Sequence, residues 1–281
     1  MENVLGIVTV IFLIFIGGTF FSLLTALSLR MKDQGRSRDF VCETCGGAIK
    51  GYDLIPFVSF AILKGRCRMC GDRIKPVEFL AEAAGAAVFL LVFFRFGRNP
   101  RLTGGVDFST VLDISAAMTP MRVAAVVLLL ALFSLLYLIS LVDAQTMLIP
   151  NRLNLILTVI GAASVFVFRD ITWVEHLIGI TVVSVPMLII TLIIPGAFGG
   201  GDIKLMAAAG LFLGWKLSIL AMFIGILTGG VYAIYLLIRK KTDKKGHFAF
   251  GPFLCLGIAV SAFCGSPLLD MYFAFAKRLY G

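Results

Sequence analysis

The sequence predicts an all-α polytopic membrane protein with about eight transmembrane helices and a small cytoplasmic zinc-knuckle domain between helices 1 and 2. Hydrophobic residues make up 59% of the 281 residues and charged residues 15%, whereas soluble domains average about 45–50% and about 25%. Apolar runs of about 20 residues, long enough to cross a bilayer, recur along the chain. Four of the six cysteines are grouped in a polar segment. A soluble all-α protein is the less favoured alternative.

The distribution of charge predicts three domains. The net charge of +9 is typical of a membrane protein with basic cytoplasmic loops and does not by itself indicate nucleic-acid binding. Residues 1–29 contain an apolar run, about 4–29, with acidic Glu2 before it and basic residues after it, the reverse of a cleaved signal peptide. We therefore expect a retained first helix with its N-terminus outside. Residues 30–77 hold ten Lys and Arg against five Asp and Glu, which predicts a cytoplasmic domain. Residues 78–281 form the main transmembrane domain.

Six further apolar runs supply the remaining helices. They cover about residues 79–96, 123–142, 153–168, 177–194, 203–238 and 250–276. The run 203–238 is too long for one crossing, because about 20 residues suffice. Gly214-Trp215-Lys216 combines a helix breaker, an interfacial aromatic residue and a charge. The run is therefore predicted to divide into a short helix, 203–213, and a full one, 217–238.

The count of crossings determines which acidic residues share a membrane face. Five basic residues follow Ile238, and eight crossings put them in the cytoplasm as the positive-inside rule requires, whereas seven would put them outside. The same count brings Asp143 and Asp202 to cytoplasmic helix ends. Asp170 and Glu175 fall at the opposite face. These are the four acids between Arg122 and Arg239.

Asp143 and Asp202 are the candidate catalytic residues. Asp143 ends an apolar run, and Pro150 after it is suited to begin the next helix. Asp202 follows Gly199-Gly200-Gly201, a predicted substrate-proximal loop, because glycines let another backbone approach closely. Two neighbouring carboxylates share a proton, so one can activate water while the other donates to the scissile carbonyl oxygen. The alternative for each aspartate is helix capping or an interfacial charge.

Four cysteines predict a structural zinc site. Cys42 and Cys45 form one C-x-x-C-G knuckle, Cys67 and Cys70 form the other, and 21 residues separate Cys45 from Cys67. Four thiolates suit tetrahedral zinc and leave no open position for chemistry. The glycine after each knuckle permits the positive φ that wraps backbone around a sulfur. Two disulfides are the alternative, disfavoured by a cytoplasmic location.

Together the motifs resemble the bacterial prepilin peptidase family of intramembrane aspartic proteases, also called type IV leader peptidases, over essentially the whole chain. The motifs are the two knuckles with Lys64-Gly65-Arg66, then Pro76-Val77-Glu78, Asp143 with Ile149-Pro150-Asn151, Gly199-Gly200-Gly201-Asp202-Ile203-Lys204-Leu205, and Phe250-Gly251-Pro252-Phe253. Asp143 and Asp202 match the family's catalytic pair. Asn151 departs from the pattern, because the family often has an acid there. The four knuckle cysteines match those of the family's cytoplasmic domain.

The resemblance implies that the chain cleaves the basic leader peptide from type IV prepilins or type II secretion pseudopilins at the cytoplasmic face of the bacterial inner membrane. It also implies N-methylation of the new N-terminus with S-adenosylmethionine, for which the sequence itself offers no Rossmann-type fingerprint. The expected partners are prepilin or pseudopilin helices and the lipid bilayer, with no nucleic acid.

Three other hypotheses stay open at this point. A signal-peptide-peptidase-like protease would leave the knuckles unexplained, and a zinc-dependent scaffold would not need Asp202. A proton-coupled transporter using Asp143 and Asp202 as relay acids would favour acids near mid-span. The histidines His176 and His247 fall in predicted loops on opposite faces, so a histidine-based catalytic site is not expected.

Overall fold

The described residues form seven α-helices. A computed structural model of the chain describes residues 2–32, 44–47, 63, 66–72, 76–96, 120–239 and 248–280. The helices are α1 (Glu2–Lys32), α2 (Pro76–Phe96), α3 (Pro120–Thr146), α4 (Asn151–Val167), α5 (Trp173–Ile193), α6 (Gly200–Ile238) and α7 (Gly251–Tyr280). All except α4 are long and apolar enough to cross a membrane. The chain is therefore a multi-pass, all-α membrane protein, as predicted; its orientation stays a prediction.

The chain divides into two compact units: Met1–Phe94 with Thr110–Ala117, and Arg95–Ser109 with Met118–Gly281. In the first unit, α1 and α2 approach closely through Gly17 and Gly85. A Cβ on Gly17 would lie 2.5 Å from the carbonyl oxygen of Gly85. The predicted domain bounds at 29/30 and 77/78 stay a prediction.

In the second unit, α6 lies at the centre and packs against α4, α5 and α7, while α3 packs against α4 and α7. The first part of α6 is the most buried, because its small and apolar side chains face three neighbours; they include Leu205, Met206, Ala209 and Phe212. Gly179 of α5 and Gly210 of α6 let the two backbones touch, since a Cβ on either would overlap the other's carbonyl oxygen. This packing buries the helix that carries Asp202.

The predicted division of the long apolar run is confirmed at Gly214. Its φ of 72° and ψ of 174° interrupt α6, so that residues 200–213 and 215–238 form two helical segments. Trp215 and Lys216 already belong to the second segment, so the break is confined to the glycine. A bend in α7 at Cys264, three residues before Pro267, was not predicted.

The predicted loop position of His176 is wrong. His176 lies in the first turn of α5 and is fully buried. Its Nδ1 donates a hydrogen bond of 2.7 Å to the carbonyl oxygen of Leu211, shortly before the bend in α6. The chain enters α5 through a capping box in which Thr172 and Glu175 bond each other's backbone N–H, which starts the helix earlier than hydrophobicity indicates. His247 lies outside the described residues.

Candidate active site

Asp143 is buried at the end of α3. It is 4% exposed, and its Oδ2 accepts a hydrogen bond of 2.9 Å from the backbone N–H of Gly251. Gly251 is the first residue of α7, and the start of a helix attracts negative charge because its N–H groups have no intrahelical partner. After Asp143 the helix closes with Met147 at φ 54°, whose N–H bonds the Asp143 carbonyl oxygen at 2.8 Å.

Gly251 must be a glycine for Asp143 to hold this position. A Cβ on Gly251 would lie 2.6 Å from Oδ2 and 2.8 Å from Cγ of Asp143. These distances are well below van der Waals contact, so any side chain would displace the carboxylate. The glycine in the Phe250-Gly251-Pro252-Phe253 motif therefore serves the carboxylate directly, a role that its sequence position did not reveal.

Asp202 is the third residue of α6, which begins at Gly200 and not at Ile203 as predicted. Its Oδ2 accepts a hydrogen bond of 3.2 Å from the N–H of Gly199. The Gly199 carbonyl in turn accepts from the N–H groups of Asp202 at 3.0 Å and Ile203 at 3.2 Å. The carboxylate thus does contribute to the start of its own helix, in the third position and not as the N-cap residue.

The three glycines before Asp202 have different surroundings. A Cβ on Gly201 would lie 3.0 Å from Cβ of Ile149, and one on Gly199 would lie 3.0 Å from Oδ2 of Asp202. A Cβ on Gly200 would meet nothing within 4 Å. Gly199 and Gly201 are therefore closely approached by other atoms of the chain, whereas Gly200 borders open space.

Polar residues at the start of α4 hold the glycine segment. Pro150 is the N-cap residue, so the helix begins at Asn151, one residue later than predicted. Asn154 is 5% exposed, and its Nδ2 donates to the Gly201 carbonyl oxygen at 3.2 Å. Lys204 donates from Nζ to Oδ1 of Asn151 at 2.9 Å. The sequence pattern did not single out Asn154, although an amide at helical spacing from Leu157 and Gly161 could have indicated it.

Asp143 and Asp202 lie close enough for their charges to interact. The turn after Asp143 contacts the glycines before Asp202 through Ile149, which brings both aspartates to one end of the helices. Asp170 follows the far end of α4, about 25 Å away by the length of that helix. Glu175 pairs there with Lys216 of α6, Oε1 to Nζ at 3.3 Å. The structure therefore brings together the two acids that the count of crossings selected.

Three of the four predicted zinc ligands form a cluster. The sulfur atoms of Cys45, Cys67 and Cys70 all lie within 4.8 Å of one another, a geometry that can hold a metal ion. Cys42 lies outside the described residues. Gly46 and Gly71 have φ of 65° and 71°, which confirms the positive φ predicted after each knuckle.

Hydrogen bonds fix the shape of the second knuckle and join it to the first. The N–H of Gly71 bonds the Cys67 carbonyl oxygen at 2.9 Å, and the N–H of Cys67 bonds the Asp72 carbonyl oxygen at 2.7 Å. The Thr44 hydroxyl donates to Oδ2 of Asp72 at 2.6 Å. The donor set and the turns thus fit a metal held by thiolates.

A polytopic membrane protein with two neighbouring carboxylates at helix ends has the groups needed for acid–base hydrolysis. The family profile for the type IV leader peptidase family matches residues 130–234, and the profile for the bacterial Peptidase A24 N-terminal domain matches residues 15–96. The chain belongs to the type IV leader peptidase family and is an aspartic peptidase by class. The family resemblance seen in the motifs is therefore confirmed.

Several curated relatives are named prepilin leader peptidase/N-methyltransferase. The protein from Bacillus subtilis (strain 168) is 29% identical over 235 residues, covering 84% of this chain and 85% of the relative. The one from Klebsiella pneumoniae is 32% identical over 180 residues, covering 62% and 68%. The one from Legionella pneumophila is 26% identical over 245 residues, covering 83% and 75%. No solved structure matches the chain.

The two asparagines of α4 should respond oppositely to the same substitution. Asn154→Asp would set a buried carboxylate against the Gly201 carbonyl, and we expect a loss of at least about 1–3 kcal/mol of stability. Asn151→Asp would form an exposed ion pair with Lys204, with an expected change of about 0–1 kcal/mol in the stabilising direction. Thermal unfolding of the two variants in detergent tests this, and equal midpoints would contradict the role given to Asn154.

Proposed function

We propose that this chain cleaves the basic leader peptide from type IV prepilins or type II secretion pseudopilins with Asp143 and Asp202 as its catalytic pair, and that it then methylates the new N-terminus. The observation that carries the proposal is that two carboxylates lie at the same end of the helices, in segments that contact each other through Ile149 and Gly201, and that each is bonded to a glycine N–H. Family membership supports peptidase chemistry, and the relatives' names supply the prepilin and the methyl transfer. The transporter and signal-peptide-peptidase-like hypotheses have no comparable support.

The two aspartates would act as an acid–base pair. With one proton shared between them, the ionised carboxylate takes a proton from water, and the water oxygen attacks the scissile carbonyl. The protonated carboxyl donates to the carbonyl oxygen as the tetrahedral intermediate forms. Proton transfer to the leaving amine then breaks the C–N bond. Either aspartate could take either role, since both accept one backbone hydrogen bond.

Gly200 is where substrate backbone would approach. It is exposed and has open space where a Cβ would point, two residues before Asp202. No atom in the described part of the chain comes close to the position of a Cβ there, in contrast to Gly199 and Gly201. A requirement from outside the chain is the simplest reason for a glycine at position 200.

The proposed orientation directs the catalytic pair toward the cytoplasm of the bacterial inner membrane. Lys and Arg are concentrated in residues 30–77 and directly after Ile238, and loops with that composition stay in the cytoplasm. Leader peptides that are themselves basic would be retained on that side for the same reason.

The cysteine cluster would hold zinc in a structural role. Cys45, Cys67 and Cys70 supply three thiolates, and Cys42 is the proposed fourth ligand. A thiolate-bound zinc of this kind would join the two knuckles, whose described residues are mostly exposed.

Methyl transfer is proposed from the relatives' names alone. S-adenosylmethionine would supply the methyl group, and no cluster among the described residues identifies its site.

Removing either carboxylate should stop cleavage. Asp143→Asn and Asp202→Asn each remove a proton-transferring group, and we expect a loss of at least about 10²- to 10⁴-fold. The measurement is cleavage of a synthetic prepilin by purified protein in detergent, followed by mass. Asp270→Asn, an exposed aspartate near the far end of α7, is the matched control and should keep wild-type activity. Cleavage that persists in either single variant would rule out the pair.

Gly200→Ala should impair cleavage without affecting stability. The added methyl meets no described atom of the chain within 4 Å, so the thermal midpoint should not fall. If substrate backbone passes over Gly200, cleavage efficiency should drop by about one to two orders of magnitude, because a displacement of about 1 Å costs about a hundredfold. Gly230→Ala, also in open space on α6, is the control. Wild-type cleavage by Gly200→Ala would contradict the proposed approach.

The purified chain should contain one zinc ion per molecule by elemental analysis. Cys67→Ser should lose the zinc and lower the thermal midpoint, because three thiolates bind more weakly than four. Cys264→Ser changes a cysteine of α7 and should retain the zinc. Equal zinc content in the two variants would contradict the site. Measuring cleavage and methylation by the same two variants would show which activity depends on the zinc.

A further inference from the structure

The two carboxylates are held in the same way by two separate segments. Gly251 bonds Asp143 through its N–H, and Gly199 bonds Asp202 through its N–H. Each of these glycines is directly preceded by a phenylalanine. The rings of Phe198 and Phe250 contact each other, with centroids 6.1 Å apart and planes inclined at 44°. The contact therefore joins the two backbone segments that hold the catalytic pair.

The Phe250 side of this contact is fixed by its surroundings. The Phe250 carbonyl accepts hydrogen bonds from the N–H groups of Phe253 at 3.1 Å and Leu254 at 3.2 Å, which begin α7. Its ring also meets Phe248 edge-on, with centroids 6.4 Å apart. Gly229 of α6 leaves the ring its space, because a Cβ there would lie 2.8 Å from Cε2 of Phe250.

The position of Phe198 depends more on the ring contact than the position of Phe250 does. Phe198 lies in the segment 194–199 between α5 and α6, where most residues are exposed and Gly196 has φ of 87°. Within this segment the backbone bonds of Ile194 and Ala197 are local ones that do not reach α7. Among the described residues, the ring contact with Phe250 links Phe198, the residue before Gly199, to the start of α7.

We infer that Phe198 and Phe250 are positioning residues whose ring contact sets the separation of the Asp143 and Asp202 carboxylates. The inference rests on the proposed function, since the separation matters only if the two aspartates act together. Neither ring is proposed to touch the reacting atoms. The competing explanation is ordinary apolar packing at the membrane interface, where aromatic residues are common.

Steady-state cleavage of a synthetic prepilin by the full-length chain distinguishes the two explanations. Phe198→Leu and Phe250→Leu should each lower kcat by about ten- to a hundredfold with little change in KM, because a misplaced group affects the transition state and not substrate binding. Phe250→Tyr keeps the aromatic ring, and this variant should retain a kcat near that of the wild type. The double variant should be no slower than the slower single variant, since both changes remove one contact.

A glycine pair tests the same contact from a distance. Gly229→Ala pushes on the Phe250 ring and should lower kcat as Phe250→Leu does, whereas Gly230→Ala meets nothing and should leave it unchanged. The two variants make the same change at neighbouring positions of one helix. Thermal unfolding in detergent identifies any variant that fails to fold. If Phe250→Leu is such a variant, the comparison of Gly229→Ala with Gly230→Ala tests the ring contact in its place.

The outcomes separate this inference from the proposed function. Wild-type protein that leaves prepilin intact would overturn the proposed function and this inference with it. If wild type cleaves and Asp143→Asn does not, then the inference alone is overturned by any of three results. These are a raised KM with unchanged kcat in the ring variants, losses that multiply in the double variant, or equal kcat for Gly229→Ala and Gly230→Ala.

Discussion

The hydrogen bond between a carboxylate and a backbone N–H at a helix start is the interaction on which the rest of the candidate site depends. An ionisable group among apolar helices is costly unless polar partners compensate it. The partner of Asp143 is the N–H of Gly251, 108 positions later, so burial of the carboxylate requires α7 to begin beside the end of α3. The packing of α3 against α7 meets this requirement. Glycine is found where these backbones come nearest.

Part of this arrangement could be predicted from residue types and spacing. The apolar runs, the interruption at Gly214 and the division of acids between two faces depend on local composition and on the number of crossings, both of which are visible along the chain. Other features depend on contacts distant in sequence. Asn154 was not singled out because its partner is the Gly201 carbonyl, 47 residues later. Hydrophobicity alone places His176 in a loop, because the start of α5 is determined by a capping box that precedes the apolar run.

The glycines show most clearly where sequence reasoning stops. The triplet before Asp202 looks uniform, yet its members have a carboxylate, open space and an isoleucine as their respective neighbours. Gly251 lies in a short motif that indicated only how the last helix enters the membrane. The contact between Phe198 and Phe250 could not have been predicted, because no periodicity relates residues in two different turns.

The bend at Gly214 has a consequence for the lipid around the site. The first segment of α6, residues 200–213, is about 21 Å long and α4 is about 25 Å long, whereas the hydrocarbon core of a bilayer is about 30 Å thick. Both short helices begin beside the carboxylate pair and pack against each other. Such hydrophobic mismatch is relieved by thinning of the adjacent bilayer or by headgroups and water reaching deeper along the short helices. The outer face of α4 is exposed, so water and headgroups that reach deeper along it would come nearer to the two acids.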